Sequence, residues 1–457
     1  GSAGGAQVSR VVVLTGDPIG PRMAGPAIRS WNMASLLAEE HEVTLVTTTR
    51  LDEVAAPFAL RRIKAGDEKE FRDLESWADV IVFQGHGMDQ FETLRRSQKI
   101  LVADIYDPMH LEMLEQGREQ PRATWELMVR EATQSLNRQL ARADFLLCAS
   151  ERQRMFYLGQ LAALGRLNPD TYATDPHLRE LLAVAPFGIE ELPPAKVGSA
   201  LRGVIDGFDD DSKVLLWGGG VYSWFDPQTL IRAVASVASR RPNVRLFFLG
   251  TRHPGIDEMG VVRESMDLAE ELGVLGSSVF FNDDWVEYSK RQSFFVEADA
   301  GVSTHHDHVE TTFSFRTRIL DYLWAGLPMV VTEGDSFAEL VERESLGVVV
   351  PADDVDALAD ALDRVLFDED FVAEVRANVS RVAEEFTWSR TLAPLVEFVR
   401  DPHHAADFGS HATRGVMSLS DTPKTGLRRD IARAWHHLRH SGFRVVLGKL
   451  RRRWGGQ

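Results

Sequence analysis

After Arg10 the chain alternates short runs of β-branched and other apolar residues with longer segments whose apolar positions recur at helical spacing. The runs at 11–14, 43–48, 80–83, 100–104, 145–149 and 182–186 predict one series of strands. Those at 214–217, 244–249, 279–282, 300–304, 329–332 and 348–350 predict a second. These runs are apolar throughout instead of alternating with polar residues, as expected of parallel strands covered on both faces. Helical spacing at 227–239, 316–324, 336–344 and 355–366 supplies part of that cover. Between the two series lies LPPAKVGSA, whose Pro and small residues read as a linker. The expectation is an α/β chain of two doubly wound domains, 8–192 and 193–386, facing a cleft.

Composition narrows the function classes. At 457 residues the chain is too long for one compact core, and its 44% hydrophobic and 26% charged residues are ordinary for a soluble protein. A single cysteine, Cys148 in the run DFLLCAS, excludes a disulfide-stapled fold and reads as core filler. No run reaches the roughly 18 to 20 apolar residues of a membrane span, and no charged-then-apolar leader is visible, so a cytoplasmic location is expected. The net charge of −17 is unevenly spread: from Lys424 to Gln457 there are ten basic residues against Asp430 alone, so the body is more acidic still. Such a body argues against nucleic acid as a partner.

In open α/β sheets ligands bind where strand ends lead into helix N-termini, so these loops carry the candidate chemistry. After the first strand come Gly16, Gly20 and Gly25, then a helix opening at Pro26 whose Ala27, Trp31, Ala34 and Leu37 are expected to face the sheet. The G-x-G-x-x-G spacing of dinucleotide sites is absent. After the fourth strand, ADIYDPMH places Asp104, Asp107 and His110 near the cleft; Asp107 before Pro108 equally suits a turn or helix cap. In the second half, Trp217 leads into Gly218, Gly219 and Gly220, where backbone can approach a ligand closely. Arg252 follows the next strand.

The richest stretch runs from Ala298 to Val341: a strand, the polar loop THHDHVE, then Ser314, Phe315 and a helix bearing Arg316, Arg318 and Asp321. Arginines at a helix start suit a diphosphate, and Asp321, three residues beyond Arg318, shares its helix face and reaches a ribose hydroxyl. His305, His306, Asp307 and His308 invite a metal reading, but neighbours in an extended segment alternate faces, so three adjacent histidines do not converge on one ion. Hydrogen bonding to a polar substrate is expected of His306, Asp307 and His308, with no metal.

Together the strand, polar loop, acidic helix and AGLPMVV resemble the C-terminal half of glycosyltransferase family 4, the group 1 glycosyltransferases of GT-B fold. GPRMAGPAIRSWNMASLLAEEHEVTLVTT, VAPFGI, VFFNDDWVEYSKRQSFFVEADAGVS and FTWSRTLAPLVEFV extend the resemblance over 11–399. It implies two Rossmann-like domains, acceptor side first and nucleotide-sugar side second, with residues 387–400 as a helix crossing back and 401–457 as linker and basic tail. It further implies a retaining, metal-independent transfer from a nucleotide-diphosphate sugar, without other cofactor, to a glycan, lipid-linked or other small acceptor in cell-surface polysaccharide synthesis. Asp321 stands where the second glutamate of the family's E-x7-E pattern holds ribose, and Trp285 and Val286 where the base is held. The first glutamate falls on Phe313, with Glu310 as a stand-in, and the family's arginine and lysine fall on Gly220 and Trp224. Arg252, Arg316 or Arg318 must then supply the cation beside Gly219, Gly220, Ser314 and Phe315, with His110, Asp107 and Glu310 as catalytic candidates. Rival readings are a non-catalytic nucleotide-sugar binding subunit and a nucleotide-sugar epimerase on the same fold.

In the tail, Leu427, Ile431, Ala434, Trp435 and Leu438, then Phe443, Val446, Leu447, Leu450 and Trp454, recur at helical spacing among basic residues. This predicts a basic amphipathic extension suited to an anionic membrane surface, or to the chain's own acidic body.

Overall fold

The computed structural model describes residues 8–250, 260–282, 286 and 288–410. The first sheet is built from β1 (Arg10–Thr15), β2 (Glu42–Thr47), β3 (Ala59–Arg62), β4 (Val80–Gln84), β5 (Ile100–Asp104), β6 (Phe145–Cys148) and β7 (Leu182–Val184). The second is built from β8 (Lys213–Gly220), β9 (Val244–Gly250), β10 (Val279–Phe281), β11 (Ala300–Ser303), β12 (Met329–Thr332) and β13 (Gly347–Val350). The orders are β3-β2-β1-β4-β5-β6-β7 and β10-β9-β8-β11-β12-β13, with every pairing parallel.

The double cover is visible residue by residue. In β1, Val11 and Val13 join the core on one face while Val12 and Leu14 join the core on the other; in β8, Val214 and Leu216 are parted from Leu215 and Trp217 in the same way. Strand order reverses between β1 and β4 and again between β8 and β11. Crevices therefore open at the carboxyl ends of these pairs, which is where the candidate loops lie.

The strands match their predicted positions to within a few residues, except that β3 was not foreseen. It is an edge strand of sequence ALRR, mostly exposed, so it carries no apolar run. The helix predicted from Arg316 begins at Arg318. In the Gly25–Leu37 helix, Trp31 lies half-buried against Phe58 instead of facing the sheet, and Arg29, Ser30 and Met33 are buried beside Ala27, Ala34 and Leu37. Cys148 is buried, and burial pushes its thiol up to about 12, consistent with core filling.

The LPPAKVGSA stretch is tied down: Ala195 and Val197 donate backbone N–H groups to the Gln292 and Ser293 side chains, and the next turn binds the Glu297 carboxylate. The expected single helix at 387–400 is two, Trp388–Thr391 and Ala393–Arg400, broken around Leu392 ahead of Pro394. Trp388 covers Gly188 so closely that a Cβ there would lie 2.6 Å from the indole. Phe398 stacks on Phe145 at 4.4 Å, and Arg400 pairs with Glu40, so the chain returns to the first sheet. Residues 401–410, read as linker, are docked: buried Asp407 holds Arg166 through two hydrogen bonds. The basic tail lies outside the described residues.

Candidate active site

At the second sheet's crevice, β8 ends in an irregular step between Trp217 and Gly220, with Gly219 at φ 119°, which only glycine adopts without strain. Against this end lies Arg318. Its guanidinium sits between the rings of Trp217 and Phe225, 4.2 and 4.1 Å from their centroids, and donates to the Gly220 carbonyl at 2.7 Å. Nη1 is buried without a hydrogen-bond partner among the described residues. Burial lowers Arg318 to about 10, so it keeps its charge at neutral pH. The two aromatic faces compensate part of the desolvation.

Arg316, named beside it as a diphosphate ligand, is committed elsewhere. It makes a bidentate pair with Glu310 at 2.9 and 2.8 Å, both buried. The same pairing engages both oxygens of Glu310, the expected catalytic stand-in. Asp321 is likewise bound by Arg291 at 2.7 Å instead of standing open to a ribose; burial raises its carboxyl while Arg291 and Arg318 oppose the shift. Ser314 turns its hydroxyl to the Thr311 carbonyl at 2.9 Å, and Phe315 packs on Phe337 at 4.6 Å, so neither offers a polar side chain to the crevice. Val286 is half-buried against the core; Arg252 and Trp285 lie outside the described residues.

The histidine loop diverges as alternation predicts. His305 is buried and donates from Nε2 to the Glu333 carbonyl at 2.8 Å; burial, helped by the charge of Arg316, lowers it to about 3. His308 accepts the Thr311 N–H at Nδ1, 3.2 Å, capping the Val309–Phe313 helix, and leaves Nε2 without a hydrogen-bond partner 4.0 Å from Glu115. Asp307 is exposed. His306 approaches Asp353 at 3.4 Å, and with Asp226 these offer three ligand atoms within 4.8 Å of one another, the group among the described residues best suited to a cation.

On the first sheet's side, Asp104 does not reach the crevice as a free acid. Arg29 binds both its oxygens at 2.7 and 2.8 Å, and Gln84 donates a third hydrogen bond. Asp107 lies on the loop beyond β5 and His110 in the first turn of the Met109–Gln116 helix that follows, both half-buried. Burial lowers His110 to about 4, so it works as a neutral imidazole. Gly20 abuts Asp52, and Gly25 opens the helix facing Phe187. Sequence reading passed over His86 at the end of β4, within 3.2 Å of the Ser135 hydroxyl and 3.4 Å of Asp89. Its signal was present in QGHGM after a strand at the crevice.

Residues 212–368, the stretch that builds β8 to β13, match the family model described as glycosyl transferases group 1. A D-inositol 3-phosphate glycosyltransferase of Saccharomonospora viridis is 29% identical over 261 residues, covering 53% of this chain and 56% of that protein. The chain thus spans about half the length of the curated relatives it matches. Sucrose-phosphate synthase from Thermosynechococcus elongatus superposes with a TM-score of 0.61 at 16% identity, covering 86% of this chain and 98% of that one. HepE of Anabaena in complex with UDP gives 0.60 at 14% identity, covering 85% and 99%. The chain thus has the GT-B fold, and its second sheet matches the group 1 glycosyltransferases.

Within the matched stretch, Phe313 occupies the place where the resemblance puts an acid. Its ring stacks on Phe156 at 4.3 Å, and Phe156 on His110 at 5.4 Å, forming an aromatic column between the two sides. Beside it Gln153, which sequence reading also missed, hydrogen-bonds to both sides.

Proposed function

We propose that the chain is a retaining, metal-independent family 4 glycosyltransferase that takes a sugar from a nucleotide-diphosphate donor. The observation that carries this reading is Arg318: a buried cation at the end of β8 whose Nη1 has no hydrogen-bond partner among the described residues, where the leaving diphosphate would gather negative charge. It supplies the charge that the family pattern puts on the loop at Gly220 and Trp224. Arg316 is neutralised by Glu310 and acts by holding the loop.

Retention is supported by the state of the remaining bases. Asp104, Glu310 and Asp321 are each engaged by an arginine, and burial makes His110 a weak base by disfavouring its protonated form. The departing diphosphate then takes the proton of the attacking hydroxyl, and attack comes from the face the diphosphate leaves. Asp107, from the loop beyond β5, and His110, from the start of the helix after it, position the acceptor and donor sugar. The acceptor is a hydroxyl of a glycan, a lipid-linked precursor or a small polyol. The relative named for inositol 3-phosphate puts a phosphorylated cyclitol early on the acceptor panel. The basic residues of 424–457 support contact with an anionic membrane surface.

A second reading, a non-catalytic sugar-nucleotide binding subunit, is favoured by the pairing of Glu310 and Asp321 with arginines. Two measurements separate them. Thermal shift with UDP, GDP, TDP and CDP identifies the base, because a bound ligand raises the melting temperature by mass action. Release of nucleotide from the matching sugar donor, dependent on an acceptor and giving a product of unchanged anomeric configuration by NMR, supports the enzyme. Tight binding without turnover across donors and acceptors supports the subunit.

A further inference from the structure

We infer that Gln153 is a positioning residue that sets the two sides of the cleft against one another through a single buried amide. It lies in the first turn of the Glu151–Ala163 helix and is fully buried. Its Nε2 donates to the Tyr106 carbonyl at 2.8 Å and to the Phe313 carbonyl at 2.9 Å, while Oε1 accepts the Ala149 N–H at 2.8 Å. Both amide hydrogens and an oxygen lone pair are therefore used. Tyr106 precedes Asp107 on the loop beyond β5. Phe313 ends the short helix that leads to Arg316 and Arg318. One side chain thus spans the loop assigned to the acceptor side and the loop assigned to the donor side, and the inference rests on that reading of the two loops.

Neighbouring contacts act in the same sense. Arg152 donates to the Thr312 and Gly334 carbonyls and pairs with Glu339, and the stack of His110, Phe156 and Phe313 crosses the same seam. The first turn of one helix in the first domain therefore reads two successive carbonyls, Thr312 and Phe313, of the second. Aromatic stacking tolerates sliding, whereas an amide shared between two carbonyls and an N–H fixes position and direction. The register between Asp107 and Arg318 follows from it.

The test compares Gln153→Glu with wild type in the full chain. A carboxylate in this place faces two carbonyl oxygens and donates to neither. Expected are a fall in kcat of about 100-fold, the scale of an ångström-sized misplacement, unchanged affinity for the nucleoside diphosphate, and faster hydrogen exchange across 309–318. Wild-type kcat and exchange overturn the inference, and so does a parallel loss of kcat, nucleotide affinity and melting temperature, which would mark a general structural role. If Gln153→Glu does not fold, Arg152→Ala, at a partly exposed side chain, decides in its place. It must speed exchange across 309–318 and lower kcat with affinity held; wild-type behaviour in both overturns the inference. If the wild type transfers no sugar from any donor, the proposed function fails, yet exchange across 309–318 still decides whether Gln153 ties the two loops.

Discussion

Replacing Arg318 by Met removes the charge while leaving a side chain long enough to fill the space between Trp217 and Phe225. Nη1, without a hydrogen-bond partner among the described residues, is the atom the proposed function assigns to a phosphate oxygen, and Nη2 is already held by the Gly220 carbonyl at 2.7 Å. Truncating a buried, hydrogen-bonded charge partner costs on the order of 2–5 kcal/mol of binding. Affinity for the nucleoside diphosphate should therefore fall roughly 30- to 5000-fold. Arg318→Lys keeps the charge but loses the planar fork and its stacking, and should fall between the two. Stability should change little in Arg318→Met, because the relief of burying a cation offsets the lost contacts with the rings. Arg316→Met should do the reverse. It strands the Glu310 carboxylate, which is 2% exposed, without its partner, a loss of about 3–5 kcal/mol in stability. Nucleotide affinity, measured below the melting transition, should move less than in Arg318→Met. Isothermal titration and urea unfolding of both variants read the contrast directly. If Arg318→Met binds the diphosphate as tightly as wild type, or if Arg316→Met is the variant that loses affinity while keeping its stability, the assignment of the diphosphate to Arg318 is wrong.

Asp335 is buried and its carboxyl is raised to about 6, chiefly by desolvation, although Oδ1 caps the Ala338 N–H. A raised acid binds its proton more tightly when folded, so its contribution is greatest while protonated and is lost as pH rises from the ordinary carboxylate range through about 6. Asp335→Asn keeps a capping oxygen and should stabilise the fold by roughly 2–3 kcal/mol near neutral pH and by nothing near pH 4; urea unfolding across that range checks it, and a gain that persists in acid refutes it. Chelator should leave transfer activity unchanged, because a protein cation meets the diphosphate; a loss restored by a divalent ion and abolished in His306→Ala would point instead to the Asp226, His306 and Asp353 group. Deleting residues 424–457 should abolish co-sedimentation with anionic liposomes and leave neutral liposomes unaffected; full binding by the shortened chain refutes the membrane contact.

What the sequence disclosed and what it withheld divide along a physical line. Strands such as Val11–Val13 and Val80–Phe83 declare themselves because both of their faces are apolar, whereas ALRR at an edge has no such run to read. Arg318 was legible as a cation near a helix start because its chemistry is its own. The state of its neighbours was not, because charge pairing is a property of two places in the chain. Glu310 meets Arg316 across a helix break, Asp321 meets Arg291 thirty residues away, and Asp104 meets Arg29 from a different strand connection. No spacing rule reaches such pairs, since helical neighbours at three and four residues are the limit of what periodicity encodes. Gln153 lies further beyond that limit, as its partners stand on two domains.

The same long-range pairings explain why a chain that departs from the group 1 pattern still shares the GT-B form. Where the resemblance puts loop cations, Gly220 and Trp224 stand, and the space near them is filled by Tyr222 and Trp224, stacked at 4.9 Å, and by Phe225. An aromatic wall there does not repel a cation arriving from the helix; Phe225 of the wall and Trp217 of β8 provide two faces for one, and Arg318 takes them. Phe313 in the acid's place forms part of the exchange, since a carboxylate aimed at this seam would have to be desolvated against Phe156 and His110, while a phenyl ring stacks there. Reintroducing the acid as Phe313→Glu should therefore break the column and lower kcat without raising donor affinity. A gain in affinity would mean that the aromatic seam and the cation on the helix are independent features and not one coupled rearrangement.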